Sequence, residues 1–280
     1  MTDRPVTSPG TYGEHAEIDI GVAHVARAYD YMLGGVTNFA VDREAAERMS
    51  EVFPGGTGTA RNDVRAQRDF LGRAVRYLAG ELGLRQFLDI GTGIPNADNV
   101  HAVVQEASPD SRVVYVDNDP IVLAHAHTLL QGSDAQETSF IDGDLRKSDK
   151  ILEQASATLD FDRPIGLVLV GILHVIAEED DPYSIVARLV DAVPSGSYLV
   201  VSHLPADMEA EKMAEMAARS RKMMREPFVM RTRAQVSRFF DGLELVEPGL
   251  VQVDQWGQTP PDTAPDDWVT PLYAGVARKP

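Results

Sequence analysis

The sequence contains no cysteine. That excludes a disulfide framework, a thiolate nucleophile and a zinc-thiolate site, and it fits a reducing cytoplasm. Positive charge is also scarce: 26 Lys and Arg against 43 Asp and Glu leave a formal charge of −17. A surface that negative repels phosphate backbones and anionic lipid, so neither nucleic acid nor a membrane is expected as a partner. Long apolar runs are missing. The longest, Gly166 to Ala177, is too short to span a bilayer, and Met1 to Ile20 has no apolar signal-peptide core. The expectation is a soluble, cytoplasmic protein. The 280 residues, 44% of them apolar, suffice for one large domain with a sizeable core.

Residues 1–17 are rich in Pro, Thr, Gly and charge and read as a loose tail. Residues 18–83 read as a helical cap of three helices. Val22 to Leu33 is stopped by Gly34-Gly35, Asp42 to Val52 by Pro54-Gly55-Gly56, and Ala60 to Leu82 by Gly83. From residue 84 to 280 short β-branched runs alternate with helical stretches. Gln86–Ile90, Arg112–Asp117, Thr138–Asp142, Ile165–Val170 and Tyr198–His203 are predicted strands. Strict alternation implies right-handed parallel crossovers and a doubly wound sheet covered on both faces. Two helices, Asp207–Met224 and Thr232–Phe240, then precede strands predicted at Leu243–Val253 and Leu272–Lys279, a hairpin finish. The cap and the sheet domain are expected to form one structural unit.

The string Phe87-Leu88-Asp89-Ile90-Gly91-Thr92-Gly93-Ile94-Pro95 runs from a strand through a Gly-rich turn toward a helix. Such a turn lets backbone approach a ligand closely, and the helix start offers free N–H groups. It is a nucleotide or nucleoside site. A dinucleotide fingerprint needs a third glycine where Asn96 stands, and no Walker-type Gly-Lys-Ser/Thr string exists. Asp89 would repel a pyrophosphate but suits the ammonium of a methionine moiety. Asp117, ending the second predicted strand, can accept ribose hydroxyls. Asp144, ending the third, can accept from an adenine amine while the Leu145 N–H meets a ring nitrogen. The three acids lie 28 and 27 residues apart. S-adenosyl-L-methionine is the cofactor this pattern favours, with Thr92, Asn118 and Gly171 as further contacts.

Together with Ala26-Arg27-Ala28-Tyr29-Asp30-Tyr31-Met32-Leu33-Gly34-Gly35, Phe70-Leu71-Gly72-Arg73-Ala74-Val75-Arg76 and Asp117-Asn118-Asp119-Pro120, these strings resemble the class I S-adenosylmethionine-dependent methyltransferases. More narrowly, they resemble an actinobacterial family of uncharacterised S-adenosyl methyltransferases, over nearly the whole chain. The resemblance implies a Rossmann-like, seven-stranded, mostly parallel sheet with an antiparallel last strand. It also implies that Asp89, Gly91, Gly93, Asp117, Asp144 and Leu145 line the cofactor. The family favours Gln-Asn-Arg where this chain has Ala66-Gln67-Arg68, a difference that bears on acceptor choice if the position touches substrate.

A small-molecule acceptor is expected near Gly171-Ile172-Leu173-His174, at the end of the fourth strand. The Asn/Asp-Pro-Pro-aromatic string used for amino groups of nucleic-acid bases is absent there. His174 is the candidate general base, for oxygen or nitrogen methylation, because its ordinary pKa lies near neutrality. His203 is a second candidate. Arg27, Tyr29 and Tyr31 of the first helix, with Arg65, are candidate lid or substrate contacts. The helix rich in methionine from Met208 to Met224 reads as packing, or as a cover over an apolar acceptor. His125 and His127 read as surface residues, and no metal site is expected. Two other functions compete: a cofactor-binding sensor without catalysis, and a nicotinamide-dependent oxidoreductase, the latter disfavoured by Asp89 and Asn96.

Overall fold

The computed structural model describes residues 19–95, 99–130, 138–257 and 270–280. The tail expected over residues 1–17 and the third-glycine position Asn96 lie outside them. Three helices come first: α1 (Val25–Leu33), α2 (Ala40–Ser50) and α3 (Thr57–Arg76). Gly34, left-handed at φ 89°, ends α1. Asp30 then closes the following loop, its Oδ2 accepting from the Thr37 N–H at 2.9 Å and the Asn38 amide at 2.8 Å. The single helix expected to Leu82 changes to one wide π-turn over Tyr77–Glu81, and Gly83 sits at φ 71°.

Strands β1 (Gln86–Ile90), β2 (Arg112–Asp117), β3 (Thr138–Asp142), β4 (Gly166–Val170) and β5 (Tyr198–His203) alternate with helices. The helices are α4 (Val100–Ala107), α5 (Pro120–Leu130), α6 (Ser148–Ala155) and α7 (Pro182–Ala192). Then follow α8 (Ala210–Met223), α9 (Arg233–Ser237), β6 (Glu244–Leu245), β7 (Val251–Gln252) and β8 (Tyr273–Arg278). The sheet order is β3-β2-β1-β4-β5-β8-β6, with β7 also on β8. β1 to β5 are parallel, and β8 runs antiparallel to β5. Chain direction across the sheet reverses at β1 and β4, whose C-terminal ends are therefore the switch point where ligands gather.

The strand expected over Leu243–Val253 is split into β6 and β7, both on β8. Pro248 has no N–H for a ladder, and Gly249 turns at φ 89° while donating to the Val246 carbonyl at 2.8 Å. Both residues were visible in the sequence as breakers.

Alternation along the strands divides the core. Leu88, Ile90, Val114, Val116, Leu167 and Leu169 pack with Ile151 of α6 and Ile185 and Leu189 of α7. Phe87, Val113, Tyr115, Val168 and Val200 pack with Phe70, Leu71 and Val75 of α3 and with Val103 and Val104 of α4. Asp89 and Asp117 have the parity of Phe87 and Val113, so both fall on the α3 face. A third apolar cluster joins Ala28, Met32, Ala45 and Met49 of the cap to Met213 and Met216 of α8. Thus α8, reached after β5, completes the cap. No helix among the described residues is long and apolar enough to cross a membrane.

Candidate active site

One cavity of about 180 Å³ lies between the switch point and the cap. Its floor is Asp89, Gly91, Thr92, Gly93, Asp117, Val170 and Gly171. Gly91 turns at φ 77°, and its N–H donates to the Val116 carbonyl at 2.8 Å, so the turn curls over the end of β2. A Cβ at Gly91 would meet the Ile172 side chain at 2.7 Å, which is why the position requires glycine. Gly93, at φ 68°, donates its N–H to Asp117 Oδ2 at 2.9 Å. Asp117 Oδ1 accepts from the Asp119 N–H at 3.0 Å. Burial nevertheless pushes the Asp117 carboxyl above the usual carboxylate range.

Asp89 accepts from the Thr92 hydroxyl at 3.0 Å and is 5% exposed. Burial raises its pKa to about 6, helped by the charge of Asp117 and opposed by the Arg68 guanidinium and the Thr92 bond. A buried carboxylate poised there is complementary to a ligand cation. Gly171, at φ 78°, donates to Ser202 Oγ at 3.1 Å, and Ser202 also accepts from the Gln67 amide at 2.9 Å. Gln67 thereby fixes the β4 turn to α3. These glycines, turned backbones and buried acids fit an adenosine-containing cationic ligand.

His174, on a single 3-10 turn over Leu173–Val175, lines the cavity and is 6% exposed. Its Nδ1 has no hydrogen-bond partner among the described residues, and its ring stands edge-on to Phe228. Burial lowers its pKa to about 4, with the nearby Arg231 charge acting in the same direction, so the ring is neutral at neutral pH. Tyr29 also lines the cavity, its hydroxyl donating to the Val64 carbonyl at 3.3 Å.

Other expected residues are placed elsewhere. His203 is fully buried off the cavity wall. Its Nδ1 lies 2.8 Å from the Leu204 carbonyl and its Nε2 accepts from Arg231 at 2.8 Å. Arg27 is 3% exposed and braces the cap, 3.6 Å from Asp42 and 3.4 Å from Asp119. Tyr31 faces α2, donating to Glu47 at 2.5 Å. Arg65, Asn118 and His125 are exposed. Asp144 is held by Arg146, accepting from its N–H at 2.9 Å and its guanidinium at 3.2 Å, and Leu145 sinks its side chain into the core. Neither lines the cavity.

Arg68 and Asp63 line it unforeseen. The helical phase carried the signal: Arg68 is four residues after Val64 and three before Leu71, on the apolar face, whereas Arg65 is not. Arg68 donates to Asn99 Oδ1 at 3.2 Å.

A mostly parallel, Rossmann-like sheet with a buried-acid, Gly-rich switch point beneath a helical cap defines a nucleoside-binding fold. The S-adenosyl methyltransferase family model matches residues 11–280, so the chain belongs to that family. It is an S-adenosylmethionine-dependent methyltransferase. A DUF574 family protein from Streptomyces avermitilis is 42% identical with a TM-score of 0.87, over 94% of this chain and 100% of its own. A methyltransferase candidate from Thermobifida fusca is 36% identical with a TM-score of 0.85, over 94% and 97%. TnmH, at 18% identity and a TM-score of 0.50, covers 80% of this chain and 57% of its own and shares the fold. No match is found among the curated proteins.

Proposed function

We propose that the enzyme methylates an oxygen or nitrogen of a small molecule held between the switch point and the cap. The observation that carries this reading is continuity: the cofactor floor, Asp89 to Gly93 with Asp117, and His174 line the same cavity. In this reading Asp89 takes the ammonium of the methionine moiety and Arg68, beside it, the carboxylate. Asp117 accepts ribose hydroxyls with its remaining lone pairs. The adenine lies toward the loop of Gly143, Asp144 and Leu145, which is tied to β2 by the Gly143 N–H donating to the Asp117 carbonyl at 3.1 Å.

When bound, S-adenosylmethionine would supply a sulfonium methyl group to the acceptor lone pair, the departing sulfur keeping the electron pair of the broken C–S bond. This chain mostly positions the partners and excludes water. His174 lines the cavity as the candidate base, but a pKa lowered to about 4, rather than one near neutrality, makes its neutral ring a weak proton acceptor, so positioning carries more of the reaction than proton removal. The cap helices and α8 keep the site dry.

The test is incubation with S-adenosylmethionine and a library of small metabolites, with S-adenosylhomocysteine formation and methylated products followed by mass spectrometry. A product carrying one added methyl group supports the reading. Methyl transfer only to proteins or nucleic acids sinks it.

A further inference from the structure

The upper part of the cavity has a composition of its own. Its walls include Met32, Met49, Phe53, Met213, Met216 and Phe228. The helices that supply them are not apolar overall: α2 carries Asp42, Arg43, Glu44, Glu47 and Arg48, and α8 carries six charged residues from Glu211 to Lys222. None of those charges lines the cavity. Among the described residues, charged lining side chains enter only from α3 and the floor, as Asp63, Arg68, Asp89 and Asp117.

The polar atoms of the roof are already used. Ser50 donates to the Ala46 carbonyl of its own helix at 2.6 Å, and Tyr29 donates to the Val64 carbonyl. Neither hydroxyl is left to donate to a polar ligand. His174 also lines the cavity, its ring buried and its Nδ1 occluded and without a hydrogen-bond partner among the described residues. An apolar wall that spends its own hydrogen bonds internally penalises any charged occupant, which would lose its hydration without replacement. A void inside an apolar cluster also costs stability, so this cap is less stable than one packed solid. Thioether side chains adapt to irregular shapes and make favourable contacts with ring edges, and Phe53 and Phe228 add aromatic surface.

Resting on the methyltransferase reading above, we infer that this Met-lined chamber is the acceptor site and that the acceptor is an uncharged, ring-bearing apolar molecule. Its one polar end, the atom methylated, lies against His174.

Three probes of one ring size test this: 2-naphthol, naphthalene-2-sulfonate and 2-naphthylmethylammonium. Their binding is titrated against the full chain with and without S-adenosylhomocysteine, using naphthalene fluorescence. Calorimetry measures S-adenosylhomocysteine binding separately, so failure of the cofactor reading is seen on its own. Expected is naphthol binding at least about tenfold tighter than either ionic probe. Met216→Glu should weaken naphthol by about tenfold or more while S-adenosylhomocysteine binding stays within about threefold. Met216→Leu should retain naphthol binding, and the retained S-adenosylhomocysteine binding of Met216→Glu shows that its loss of naphthol is not loss of the fold. An ionic probe binding as well as naphthol overturns the inference. So does naphthol binding that is absent or indifferent to Met216→Glu.

Discussion

The Nδ1 of His24 stands 2.8 Å from Oδ2 of Asp119, joining the residue that starts the cap to the loop that follows β2. The Ala26 N–H is 3.3 Å from the same nitrogen; the shorter contact wins, and Nδ1–H donates to the carboxylate. Burial acts on His24 most strongly and lowers its pKa, but the bond and charge of Asp119 with the charges of Glu226 and Asp117 leave it raised above 6.5. A raised folded-state pKa gives stability that is fully present below the unfolded value and is lost as pH rises through the folded value. His24→Gln should therefore cost about 1–3 kcal/mol at pH 6 and less at pH 9. Thermal unfolding of both proteins across that range checks it; equal losses at both pH values contradict the assignment.

The Asp89 carboxyl, with a pKa of about 6, makes cofactor binding proton-linked. A ligand ammonium favours the ionised form, so binding lowers this pKa and releases a proton when it begins below about pH 6. Affinity for S-adenosylmethionine should fall toward tenfold per pH unit below that point. Calorimetry in buffers of different ionisation enthalpy would register the released proton. Asp89→Asn should weaken binding by about 1.5–3 kcal/mol and remove this part of the pH dependence.

Much of this architecture was legible in local patterns. The first three strands and β5 have the bounds that alternation assigned, and Asp89 and Asp117 meet because they share a strand face. Less legible was whatever depends on the chain's return in space. Nothing near Met213 says that α8 closes the cap, since its partners Met32 and Met49 lie far back in sequence. The acids Glu178 to Asp181 precede α7, and Asp181 caps it by accepting from the Ser184 N–H at 3.3 Å. Yet Asp180 bonds Arg146 at 2.8 Å, and Glu178 bonds a fully buried Arg231 at 2.8 Å, 53 residues away. Arg27 and His203, expected from their place in sequence, have buried partners and lie outside the cavity lining.

Two of the cavity glycines, Gly91 and Gly93, should differ. At Gly91 alanine meets both an unfavourable φ of 77° and the Ile172 side chain at 2.7 Å, whereas at Gly93 the φ of 68° is the sole obstacle and the space is open. Gly93→Ala should cost about 1–2 kcal/mol of stability. Gly91→Ala should cost a further 1–3 kcal/mol, roughly, from overpacking, and lose more cofactor affinity. Denaturant titration with and without S-adenosylhomocysteine ranks them; the reverse order would refute the turn geometry described above.

Arg231 is the largest fully buried side chain, and its guanidinium organises the turn that carries His174. Nη1 donates to the Leu173 carbonyl and to His203 Nε2, both at 2.8 Å. Nη2 donates to the Ile176 carbonyl at 3.0 Å, and Nε to Glu178 at 2.8 Å. The bonded carbonyls flank His174 in sequence, so Arg231 is a positioning residue for it. Lysine keeps the charge but not the planar fork, and its three donors leave at least one of these four acceptors without a partner. Arg231→Lys should thus destabilise by about 3–5 kcal/mol. Glu178→Gln should cost under about 1 kcal/mol, because that carboxylate is half exposed and water replaces its role. The readout beyond stability is the His174 ring: in Arg231→Lys its pKa, followed by NMR, should move from about 4 toward 6.5 as the turn loosens and water enters. A variant that loses stability while the ring keeps its low pKa would leave Arg231 a packing residue with no hold on His174.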